Sequence, residues 1–151
     1  MRSRLILYVS AMLSIILPVQ INPECLESLY TFTHDPEFEI LGEGAGRFPF
    51  HRVETKSRSY VQAANRAAAS AKGEELIFVK PDFIATSTQW TRDCFSIPTA
   101  LFRQAGGFNE HFSESCHDID LCRRLNLPDP PANPAQDPID QLLLADLWPA
   151  A

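Results

Sequence analysis

Apolar and polar positions along the chain alternate between short apolar runs and stretches of helical spacing. The first run, "LSIILPV" at residues 13–19, is rich in β-branched residues and stops at a proline, which predicts a buried strand. "INPECLESLYTFT" follows. Asn22 can cap a helix, Pro23 suits its first turn, and Leu26, Leu29 and Tyr30 share a face. "DPEFEILGEGAG" reads as a turn, a short strand at about residues 37–41 and a Gly-rich loop. "SRSYVQAANRAAASAKG" is the clearest helix. Ser57 or Ser59 can cap it, its alanines favour it, Lys72 suits the last turn and Gly73 can end it. "EELIFVK", residues 74–80, then reads as another buried strand.

Strand, helix, strand, helix, strand predicts an α/β fold with a mostly parallel sheet and right-handed crossovers. Ligands in such sheets sit beyond the carboxyl ends of the strands. Those ends are expected at residues 19–20, 42–46 and 80–82. Further on, "SIPTALFRQAGG" predicts a short helix from Pro98, with Leu101 and Phe102 inward and Gly106 or Gly107 as its stop. "FNEHF" reads as a loop. Ser115 can cap a helix running to about Leu125, and Pro128 ends it. Residues 128–151 hold six of the twelve prolines and read as a flexible tail, in which "IDQLLLADLW" can form one amphipathic helix.

The amino terminus has two readings. "MRSRLILYVSAMLSIILPV" has two arginines before an apolar run, as a signal peptide does. No small-x-small cleavage site follows, and the run is short and interrupted for a membrane span. The strand reading is adopted, with a cytoplasmic protein as its consequence. A small secreted protein cleaved near Gln20 is the alternative.

A length of 151 residues suits one domain with one core. Hydrophobic content of 45% and charged content of 21% fit a globular chain. The net charge of −6 argues against nucleic acid as a partner. Asp129, Asp137, Asp140 and Asp146 follow Arg124 with no Lys or Arg among them, so the tail is acidic. Seven of the thirteen basic residues lie from Arg47 to Lys80, either a face for an anionic ligand or a solvated mixed surface. Four cysteines at irregular spacings, with no CxxC, predict buried free thiols. Cys116, His117 and Cys122 match no usual zinc spacing.

The richest chemistry is in "SESCHDIDLCRR", residues 113–124. On a helix Asp118 and Asp120 point about 200° apart and cannot share one ion. One should face a cleft. The other can cap, or pair with Arg123 or Arg124 three or four positions on. A purely structural role for Asp118, as a carboxylate at a helix amino terminus, is the competing reading.

Over about residues 13–126 the chain resembles a compact family 2 glycosyltransferase. "SIILPV" resembles that family's opening strand, and "CLESLYTFTHDPEFEIL" its first helix and second strand. "YVQAANRAAASAKGEELIFVKPD" resembles the helix leading to the strand that bears an Asp-x-Asp motif. "CFSIPTALFRQAGGFNEHFSESCHDIDLCRRL" resembles the segment with a Gly-Gly-Phe-Asp-Glu loop and an acidic catalytic motif. The resemblance implies a GT-A-like three-layer α/β/α sandwich over residues 1–127, with 128–151 as an appended tail. It implies an inverting, hexosyltransferase-like transfer from a nucleotide-sugar donor to a saccharide or lipid-linked acceptor, as in polysaccharide biosynthesis. Asp118 would be the general base. Glu43, Asn65, Lys80 and Asp82 would lie on the donor side, and Phe108, Asn109 and Glu110 on the acceptor side. A divalent cation, Mg or Mn, would sit at Asp82.

The chain departs from the pattern at several points. It has "KPD" where the family has Asp-x-Asp, so Lys80 replaces an acid. "LGEGAG" leaves Glu43 as the one acid after the second strand. The acidic motif reads His117-Asp118, and the Pro-rich tail stands where an acceptor-binding region is usual. A catalytically inactive relative that binds a nucleotide sugar, a protein or a peripheral membrane surface therefore stays open as the alternative.

Overall fold

A computed structural model of the chain describes residues 12–18, 23–33, 37–43, 50–53, 59–80, 94–112 and 116–130. In chain order the elements among the described residues are β1 (Leu13–Leu17), α1 (Pro23–Phe32), β2 (Phe38–Gly42), β3 (His51–Arg52), α2 (Tyr60–Ala69), β4 (Glu75–Phe78), β5 (Phe95–Pro98), α3 (Thr99–Gln104) and α4 (His117–Arg124). The strands form one sheet in the order β3-β2-β1-β4-β5. β1 pairs parallel with both β2 and β4, and β2 pairs parallel with β3. β5 alone runs antiparallel, against β4. The expected α/β architecture with a mostly parallel sheet is the one observed.

β1 is the central strand, and all five of its residues are buried. Residues 13–17 of the run that also read as a leader form this strand. Its side chains alternate between two apolar layers, as strand geometry requires. Leu13, Ile15 and Leu17 pack with Ile40, Ile77 and Val79 beneath Cys25, Leu26 and Leu29 of α1. Ile16, Leu41, Leu76 and Phe78 pack on the opposite face against α2, with Phe102 and Leu121 from α3 and α4. Helices therefore cover both faces, and each large aliphatic side chain so buried contributes roughly 1.5–3 kcal/mol.

Ser14 is the polar exception in β1. Its hydroxyl donates to Glu39 Oε2 at 2.7 Å and accepts from the Gly73 amide at 2.8 Å. Glu39 Oε2 also accepts from the Lys72 amide at 2.7 Å. Gly73 was expected to end the preceding helix. Instead α2 ends at Ala69, with Ser70 as its cap. Gly73 is glycine because a Cβ would lie 2.5 Å from Ser14 Oγ and 2.6 Å from the Met12 carbonyl. The start of α2 follows expectation: Ser59 Oγ accepts from the Gln62 amide.

Two strands were not foreseen. β3 has two exposed residues, and β5 carries an exposed serine and ends on a proline. Both lie at the margins of the described sheet, where a strand need not be an unbroken apolar run. The short helix expected from Pro98 is α3, and its exit passes through Gly106 and Gly107, both at φ +81°. The tail's candidate helix at residues 139–148 lies outside the described residues, as does Ser115. Among the described residues, no helix is long and apolar enough to cross a membrane.

Candidate functional site

The sheet order reverses between β1 and β4. From β1 the chain goes to β2 and β3 on one side, then crosses to β4 on the other. In open α/β sheets ligands sit beyond the carboxyl ends of the strands at such a switch point. The Val79 amide still donates to the Ile16 carbonyl at 2.9 Å, so β1 and β4 stay paired up to this edge. Lys80 is the next residue, and it is exposed. Glu43 follows β2 at the same edge, two strands from β4 and so about 10 Å away by strand spacing.

The amino ends of α2 and α4 meet nearby. The ring of Tyr60, first residue of α2, lies 5.4 Å from that of His117, first residue of α4. His117 packs edge-on to Phe108 at 4.7 Å, and Phe108 meets Phe78 of β4 at 4.8 Å and Phe102 of α3 at 5.0 Å. This aromatic stack fixes the start of α4 against the carboxyl end of β4.

The two aspartates of α4 separate as its periodicity demands. Asp120 turns inward, 1% exposed, and its Oδ2 accepts from Arg124 Nε at 2.9 Å. Arg124 also donates to the Ala105 and Gly107 carbonyls. Asp118 faces the other way and is half-buried. Burial raises its pKa above the usual carboxylate value, and the Ile119 amide, its own amide and the Lys80 charge offset part of that rise. The Ile119 bond to Asp118 Oδ1 is 2.9 Å. Cys122, one turn on from Asp118, has its thiol pushed up to about 11 by burial and by the charges of Asp118 and Asp129.

Asn65, Phe108, Asn109 and Glu110 meet around the loop after α3. Asn65 is committed to the loop after α3: its Oδ1 accepts from the Phe108 amide, and its Nδ2 donates to the Phe108 carbonyl and to Glu110. Phe108, expected on the acceptor side, is 3% exposed at the centre of the aromatic stack. Asn109 Oδ1 accepts from the His111 amide and shapes the same loop. Asn65 is thereby a clamp, and the loop it holds is the support of His117. Spacing gave no sign of this role, because Asn65 and Phe108 lie 43 positions apart.

Asp82, assigned to the metal side by resemblance, lies outside the described residues. The described residues at this edge of the sheet include Glu43, Asp118 and Lys80. Among the described residues, no three His, Cys, Asp or Glu side chains gather as metal ligands. All four cysteines are free thiols. A separate groove of about 380 Å³ lies between α2 and α3, lined by Asn65, Ala68, Phe102, Arg103, Gly107 and Glu110. It includes neither Asp118 nor Lys80. Compared with known proteins, the chain matches no family model, and no curated protein is significantly similar to it.

Proposed function

We propose that the chain is a compact inverting glycosyltransferase with a GT-A-like fold, acting from a nucleotide-sugar donor on a hydroxyl of a saccharide or lipid-linked acceptor. The observation that carries this reading is the position of Asp118: half-buried at the start of α4, whose first residue packs through Phe108 on the last residue of β4, while Asp120 is spent on Arg124. The sequence resemblance supplies the reaction class. In the proposed step the acceptor oxygen attacks the anomeric carbon and gives its proton to an Asp118 oxygen. The bond from that carbon to the diphosphate oxygen breaks, and its electron pair leaves with the diphosphate. A base works best with a pKa near the working pH, and burial moves Asp118 in that direction.

The alternative is a nucleotide-sugar-binding module without turnover. The burial of Phe108 favours it, since that ring offers no surface to an acceptor. Turnover of a panel of nucleotide sugars, with binding measured in parallel, separates the two. Asp118→Asn should lower turnover by roughly 10²–10⁴-fold and leave donor affinity within about twofold. Equal loss of both would make Asp118 structural. Binding without turnover in the wild type would establish the module.

A further inference from the structure

Lys80 stands at the carboxyl end of β4, exposed, at the switch point of the sheet. Among the described residues, no carboxylate lies within ion-pair distance of its ammonium. The pairing of Val79 with Ile16 fixes the backbone just before it, so the lysine stem starts from a rigid strand end. The Tyr60 and His117 contact brings the amino ends of α2 and α4 to the same edge. A flexible ammonium on a fixed base, at the switch-point edge of the sheet, suits phosphate oxygens, which it can reach as a point charge.

We propose that Lys80 itself supplies the positive charge that holds the diphosphate of the donor, so that nucleoside diphosphate binds here without a divalent cation. This rests on the glycosyltransferase reading and deepens it. As the bond to the anomeric carbon breaks, negative charge grows on the diphosphate. The Lys80 ammonium stabilises that charge by hydrogen bonds to the phosphate oxygens, the electrostatic task a metal ion otherwise performs.

The test is calorimetric titration of the full chain with UDP, GDP and ADP, each in excess chelator and again in Mg or Mn. Wild type is compared with Lys80→Ala and Lys80→Arg, and the fold of each is checked by circular dichroism. The expected result is binding of at least one nucleotide in chelator, weakened roughly tenfold or more by Lys80→Ala and largely kept by Lys80→Arg. Chelator-resistant binding that Lys80→Ala leaves unchanged overturns the role of Lys80. Binding that requires metal overturns it too, while the glycosyltransferase reading stands. No binding of any nucleotide under either condition overturns both.

Discussion

Asp118 and Asp120 are two positions apart, carry the same charge and have opposite fates. The helical period alone foretold that they diverge. It did not say which turns inward; that is decided by Arg124, whose guanidinium finds Asp120 and two loop carbonyls together. Asp118 is left with a raised pKa, because burial disfavours its charged form more than the Ile119 amide and Lys80 favour it. A carboxyl whose folded pKa lies above its unfolded value contributes full stability below the unfolded pKa. That contribution is lost as pH rises through the folded pKa. Asp118→Asn should therefore stabilise the protein at neutral pH, by roughly 0.5–1 kcal/mol. The gap should close as pH falls below the ordinary carboxylate value of 3.8. Chemical denaturation across pH checks this. A variant less stable than wild type at pH 7 would mean that Asp118 serves the fold. The roles of Asn65 and Phe108 were illegible at this scale, because each depends on a partner far away in sequence.

At the scale of elements, α4 is the piece that carries the candidate base, and it is held from two sides. The aromatic stack fixes its start through His117. Arg124 fixes its end, through Asp120 and the carbonyls of Ala105 and Gly107. Arg124→Ala would leave the Asp120 carboxylate buried without its cation, a loss of about 3 kcal/mol. Arg124→Lys should recover little, since an ammonium cannot serve three acceptors in the directions of a planar fork. Urea midpoints of the three proteins measure this. A lysine variant unfolding at the wild-type midpoint would show that charge alone suffices. β1, β2, β4 and the described helices were legible, because each has a buried face of regular period. β3 and β5 were not, because a two-residue exposed pair and a strand with an exposed serine present no such face.

For the whole molecule, the sheet order decides where chemistry is possible. Apolar periodicity announced a parallel sheet, and with it a ligand edge at the carboxyl ends of the strands. Which strands flank the switch point follows only from their pairing, with β1 between β2 and β4. That pairing gathers Lys80, Asp118 and His117 at one edge and leaves the groove between α2 and α3 elsewhere. The central claim is the proposal that a nucleotide-sugar donor binds at the switch-point edge of the sheet. Amide hydrogen exchange on the full chain, with and without saturating members of a nucleotide-sugar panel, tests it most directly. The account predicts slowed exchange at residues 16–18, 78–80 and 116–120. Protection confined to the α2–α3 groove, or none with any donor of the panel, would contradict it.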